Sequence, residues 1–171
     1  MRNAIVWIFI FLSVFTFPAY SKSIEGKVVV VSDGDTVWVL LENGNRVKVR
    51  IWGIDTPEKF KSEKLKRDAK RCHVPKSVIR ILGKLASKKA KEKLNGRKVL
   101  VETHGIGRYG RVLGRIFVDE EDFGLFMIRK GYACAYRTVP SSYFEAEREA
   151  KEKKIGLWGW APKIMKCLCK K

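Results

Sequence analysis

At 171 residues the chain is about one domain long, and 46% hydrophobic content is enough for a packed core, which excludes an intrinsically disordered chain. Its 36 Lys and Arg against 18 Asp and Glu leave a formal charge of +18. Such a surface draws polyanions, with nucleic acid and anionic membrane as the two candidates.

The N-terminus addresses the compartment. Met1-Arg2 precedes an apolar run from Ala4 to Phe17, broken only by Ser13 and Thr16, and Pro18-Ala19-Tyr20-Ser21 follows. A basic start, an apolar stretch and a small-x-small end predict a secretory signal over residues 1–21, cleaved after Ser21. Residues 22–171 then form one exported domain, periplasmic or extracellular, with a short Cys-containing tail. The alternative is an uncleaved membrane anchor, although the run is shorter than the roughly 20 apolar residues of a full span. Cys72, Cys134, Cys167 and Cys169 make an even count, which in an exported chain favours disulfides; the pairing is open. Cys167-Leu168-Cys169 lacks the spacing and the nearby histidine of a zinc site.

Taken in order, residues 24–31 are valine-rich and turn at Asp33-Gly34. Residues 36–41 alternate, Asn43-Gly44 signals a hairpin, and residues 46–51 alternate basic with apolar, so a three-stranded meander is expected. Pro57 stops the third strand. Residues 59–71 are lysine-rich and read as a mobile loop or a solvated helix. From Ser77 the apolar period becomes helical through Leu94, and Asn95-Gly96 ends that helix. Two further strands are expected over residues 97–103 and 112–118, a turn over 119–122, and a short helix over 123–130 closed by Gly131. Ser142 and Glu145 have capping-box spacing and open a charged helix reaching about Lys154. Five strands with one helix between the third and fourth is the order of an OB barrel, so the fold class is α+β: a five-stranded OB-fold β-barrel with about three helices.

The chemistry gathers at strand ends. Asp33-Gly34-Asp35-Thr36, Arg50, Asp55-Thr56-Pro57-Glu58 and Tyr109-Gly110-Arg111 place acids and arginines together in a strongly basic chain. Asp35 and Asp55 lie at the ends of different strands, which a barrel can bring together, and two carboxylates with a backbone carbonyl suit a hard cation. Guanidinium forks suit phosphate oxygens and stay charged at any relevant pH. Asp33 reads as a turn-former or as support for the metal site, Thr36 as a strand residue or a supporting hydroxyl, and Tyr109 as a base-stacking ring or a loop anchor. His73 and His104 show no partner pattern, and Trp38 and Trp52 read as core or barrel-end residues.

With the closing Glu-rich helix and Gly156-Leu157-Trp158, this ordered set resembles the staphylococcal nuclease, or thermonuclease, family from about Ile24 to Trp160. The resemblance implies a Ca²⁺ site at Asp35, Asp55 and the carbonyl of Thr56, a general base at Glu58, and phosphate-binding roles for Arg50 and Arg111. It implies hydrolysis of DNA and RNA by in-line water attack that leaves a 3′-phosphate, with low sequence preference because phosphate carries no base information. The chain departs from the family pattern in a longer, more basic connection after Glu58, in the tail beyond Trp160, and in Tyr132 and Tyr136, which do not match the family's nucleotide-contacting tyrosines. A monomer with nucleic acid as its partner is expected, and no obligate protein partner. The competing readings are an OB-fold module that binds nucleic acid without cutting it and, with the signal retained, a membrane-surface protein.

Overall fold

The computed structural model describes residues 23–136 and 138–170, so the expected signal over residues 1–21 lies outside the described residues. Eight strands are present among them: β1 (Ser23–Val31), β2 (Thr36–Leu40), β3 (Arg46–Ile51), β4 (Ile54–Asp55), β5 (Lys98–Ile106), β6 (Val112–Val118), β7 (Glu121–Asp122) and β8 (Cys134–Ala135). Six helices accompany them: α1 (Glu63–Cys72), α2 (Lys76–Leu94), α3 (Phe123–Arg129), α4 (Ser141–Glu152), α5 (Leu157–Trp160) and α6 (Pro162–Leu168).

The expected barrel forms. β1, β2 and β3 make an antiparallel meander, β5 pairs with β1, and β6 pairs antiparallel with β5 and parallel with β3, which closes the sheet on itself. Alternation decides what faces inward. Val37 and Val39 of β2, Val49 and Ile51 of β3, Val101 of β5 and Ile116 of β6 are buried, while Arg46 and Lys48 keep their charges outside. The β2–β3 hairpin turns at Asn43-Gly44 as its sequence requires: Gly44 adopts a left-handed φ of 80°, and the Asn43 side chain accepts from Asn45 N at 3.1 Å.

Two apolar clusters result. The barrel interior packs with α3 and α4 through Phe123, Met127, Ile128 and Tyr143. A second cluster joins α1, α2, α5 and α6 through Leu65, Ile79, Leu82, Leu157, Trp158 and Met165. No helix among the described residues is long and apolar enough to cross a membrane.

The helices depart from expectation in number. The lysine-rich stretch is a helix, capped by Ser62 Oγ accepting from Leu65 N at 3.0 Å. Leu157–Trp160 forms α5, and the tail beyond Trp160 folds into α6. The capping box at Ser142 and Glu145 does not form; the N-cap of α4 lies two residues earlier, at Pro140, with no side-chain cap. The turn expected over 119–122 is confined to Asp119 and Glu120, both at positive φ, and Glu121-Asp122 pair back onto β6.

Candidate active site

The acid pair is built where the meander ends meet β4. Asp35 immediately precedes β2, and Ile51 N donates to its carbonyl at 2.9 Å, which fixes it beside the end of β3. Asp55 ends β4. Both carboxylates are almost completely buried, at 5% and 6% exposure, so each must be satisfied within the protein. Asp35 Oδ2 accepts from Thr56 N and Thr56 Oγ1, both at 2.9 Å. This approach needs Gly34, where a Cβ would stand 2.8 Å from Thr56 Cγ2.

Arg50 spans the two acids. One terminal nitrogen pairs with Asp35 Oδ1; the other reaches Asp55 Oδ1 at 3.0 Å and the Ile54 carbonyl at 3.3 Å. Thr36 Oγ1 donates to Asp35 Oδ1 at 3.2 Å, and Asp33 Oδ1 accepts from Asp35 N at 3.2 Å. Asp33 is therefore the turn-former that presents Asp35, and burial raises its carboxyl above the ordinary value against the pull of Arg50.

Glu58 follows Pro57 and is held from two sides. Its carboxylate accepts from Ser62 Oγ at 3.1 Å and from Lys64 Nζ at 2.9 Å. Its backbone lies directly on α2 at Gly83, where a Cβ would stand 2.6 Å from Glu58 C and from Lys59 N. Lys64 also reaches the Thr56 carbonyl at 3.3 Å, Asp55 Oδ2 at 3.3 Å and Asp68 Oδ2 at 3.7 Å. Burial alone would lower this ammonium's pKa; Asp55, Glu58 and Asp68 hold it above its ordinary value. Ser62, Lys64 and Asp68 are site residues that the sequence reading did not identify. The signals for them were a serine at a helix start and an i,i+4 Lys–Asp pair, both inside the stretch left open between loop and helix.

Arg111 immediately precedes β6, which runs parallel to β3 with Leu113 opposite Arg50, so Arg111 lies just ahead of the strand that adjoins Arg50's. Its guanidinium carbon lies 6.0 Å from the ring of Tyr109, which is 93% exposed and holds a left-handed φ of 64°. A bulky residue in that region is strained, and here the strain presents an aromatic face to solvent. The remaining candidates have structural places. His73 is the left-handed C-cap of α1, His104 stacks on Trp52 at 4.4 Å, and Trp38 lies partly buried under Lys48.

Beside Lys64 opens a groove of about 830 Å³, walled mainly by Arg67, Lys70, Arg71 and Lys170, with Asp68 and Tyr136. A separate cavity of about 470 Å³, lined by residues including Glu25, Leu40, Lys98 and Phe117, contains none of the candidate site residues. The disulfides fall around the site. Cys72 at the end of α1 joins Cys167, and Cys134, opposite Asp55 on the β4–β8 ladder, joins Cys169. The tail thereby clasps both α1 and β8, and Arg71 adds bonds to the Cys167 and Lys170 carbonyls at 2.7 Å.

Among the described residues, no three His, Cys, Asp or Glu side chains converge as a metal cluster. The candidate donor set is smaller and consists of oxygen alone: Asp35, Asp55 and the Thr56 carbonyl. That carbonyl and Asp55 already face a cation in Lys64, so their chemistry fits a hard cation completed by water.

A sequence profile described as staphylococcal nuclease homologue matches residues 48–160. An uncharacterized endonuclease of Escherichia coli is 30% identical over 156 residues, covering 90% of this chain and 89% of the relative. The thermonuclease of Staphylococcus intermedius is 27% identical over 152 residues, covering 83% and 82%. An uncharacterized protein of Methanocaldococcus jannaschii is 33% identical over 150 residues, covering 80% and 72%. The closed barrel, the two buried acids bridged by Arg50, and this run of matched sequence agree, and the chain belongs to the staphylococcal nuclease family.

Proposed function

We propose that the chain is an exported, Ca²⁺-dependent nuclease that hydrolyses phosphodiester bonds of DNA and RNA with low sequence preference. One observation carries the reading. Asp35, Arg50 and the run holding Asp55, Thr56 and Glu58 come from three segments and, joined through Lys64, form one continuous polar network beside a basic groove. Nuclease and thermonuclease names among the relatives, and the two disulfides with the N-terminal signal pattern, support the activity and the export respectively.

Asp35, Asp55 and the Thr56 carbonyl would hold Ca²⁺, which supplies positive charge to the phosphate and acidifies nearby water. The chain's own groups do the rest. Glu58, oriented by Ser62, takes the proton from the attacking water at a carboxylate oxygen. Arg50 and Arg111 bind the phosphate oxygens and stabilise the charge that builds on them as the water attacks in line and the 5′ oxygen leaves, producing a 3′-phosphate. Arg67, Lys70 and Lys170 draw the strand toward the site through its backbone charge.

Incubating the oxidised protein with end-labelled single-stranded DNA and RNA, with Ca²⁺ or with chelator, tests this reading. Calcium-dependent cutting of both polymers to 3′-phosphate ends is expected. Salt-sensitive binding with no cutting under any condition would assign the chain to the non-catalytic OB-fold class instead.

A further inference from the structure

Lys64 sits in the first turn of α1, and its ammonium is gathered by four oxygens: Glu58 Oε1 at 2.9 Å, the Thr56 carbonyl and Asp55 Oδ2 at 3.3 Å, and Asp68 Oδ2 at 3.7 Å. Ordinary surface ion pairs join one cation to one acid. Here the acceptors come from β4, from the connection after it and from α1. The Asp55 side chain is 8% exposed and that of Asp68 is 12% exposed. Two of the four oxygens, on Asp55 and Thr56, belong to the set assigned above to Ca²⁺, and a third belongs to the carboxylate that handles the water.

We propose that Lys64 is a built-in competitor of the metal: its ammonium and Ca²⁺ exclude each other at Asp55 and the Thr56 carbonyl, and metal binding expels Lys64 and frees Glu58. The inference rests on the metal reading above. An ammonium and a divalent cation both seek hard oxygen and repel each other at contact distance; Arg50 takes Asp55 through Oδ1, which leaves Oδ2 and the Thr56 carbonyl as the oxygens that Lys64 and the metal contest. The side chain suits the task. Lysine carries a compact charge on a flexible four-carbon stem, which can swing aside without moving its helix. The backbone is held, since Ser62 caps the start of α1 and Cys72–Cys167 ties its end. A resting place is provided as well. Asp68 lies one helical turn on at i,i+4, is outside the metal set, and keeps Oδ2 toward Lys64 while Oδ1 pairs with Arg71 at 2.8 Å.

Two consequences distinguish competition from simple structural pairing. Metal affinity is lower than the oxygens alone would give, and metal binding exposes Lys64. The test uses the full oxidised chain without substrate. Calorimetric Ca²⁺ titration compares it with Lys64→Met, which keeps the stem and removes the charge; the dissociation constant is expected to fall at least tenfold. In the unsubstituted chain, acylation of Lys64 by a soluble N-hydroxysuccinimide ester, read by peptide mass spectrometry, is expected to accelerate when Ca²⁺ is added, while the exposed Lys66 on the same helix stays constant. An unchanged or weaker affinity in Lys64→Met overturns the proposal, and so does protection of Lys64 by Ca²⁺. If both chains bind Ca²⁺ equally, competition alone fails; if neither binds it, the metal reading fails with it.

Discussion

Cys134 stands directly across the β4–β8 ladder from Asp55, and its sulfur is bonded to Cys169 at the end of the tail. The strand that carries a candidate metal ligand is thus held by a two-residue partner that the tail itself secures. A loop of 35 residues closed by this bond stabilises the fold by roughly 3–4 kcal/mol on the chain-entropy view. The double substitution Cys134→Ser with Cys169→Ser should lose about that much in guanidinium unfolding. It should also lose activity at temperatures where the protein remains folded, because β8 no longer steadies Asp55. Parental activity in a folded double variant would show that the clasp serves stability alone.

Gly83 sets the position of Glu58. Any Cβ there meets the Glu58–Lys59 peptide at 2.6 Å, and a backbone cannot yield as a side-chain tip can. Gly83→Ala is expected to cost about 1–3 kcal/mol by overpacking. It should cut turnover by about tenfold or more by moving the carboxylate, although α2 gains helix propensity from the change. Steady-state kinetics beside thermal unfolding separates the two effects.

Ser62 has two duties, capping α1 and donating to Glu58. Ser62→Ala should lose about 1 kcal/mol of stability and lower turnover. Ser62→Gly, a tolerated cap that also lacks the hydroxyl, should recover most of the stability and none of the rate. Recovery of both in denaturation and cleavage assays would leave the hydroxyl without a role at Glu58.

The arginines should resist conservative replacement. Arg50→Lys keeps a charge near the acids but cannot span Asp35 and Asp55, and Arg111→Lys loses the fork needed for two phosphate oxygens. Each is expected to reduce kcat by about 10²–10³ at equal folded fraction, the scale of one transition-state donor. Near-parental turnover in Arg111→Lys would remove it from the phosphate site.

Away from the site, Tyr143 donates to both oxygens of Asp122, at 2.8 and 2.7 Å, where Arg115 also pairs at 2.6 Å. Burial, and then Asp122, push the phenol well above its ordinary value of 10.0. A raised folded-state pKa contributes stability that is complete below the unfolded value and is lost as pH rises through the folded one. Tyr143→Phe should therefore be less stable by about 1.5–3 kcal/mol from pH 6 to 9. The gap should narrow above about pH 10, where unfolded tyrosine ionises. Thermal unfolding of both proteins across that range checks it.

The barrel was legible because its strands alternate with period two and its turns carry Asp-Gly and Asn-Gly, so local and tertiary preferences agree. Asp35, Asp55, Glu58 and Arg50 were legible as an ordered motif, and the structure joins them. Lys64 and Asp68 were not, since a lysine in a lysine-rich stretch looks like any solvated cation until the fold places four oxygens around it. The disulfide pairing was also closed to sequence, being decided by where α6 docks against α1 and β8. The capping box failed because spacing alone suggested it, whereas α4 takes Pro140 as its N-cap and draws Ser141 and Ser142 into its first turn.

The central claim is that Glu58 handles the attacking water at a site held by Asp35 and Asp55. Single-turnover cleavage of labelled single-stranded DNA by Glu58→Gln, at saturating Ca²⁺ and with metal affinity and folding measured on the same sample, tests it most directly. The account predicts a loss of about 10²–10⁴ in rate with substrate binding retained. A Glu58→Gln protein that binds Ca²⁺ and DNA and cuts at the parental rate would contradict it.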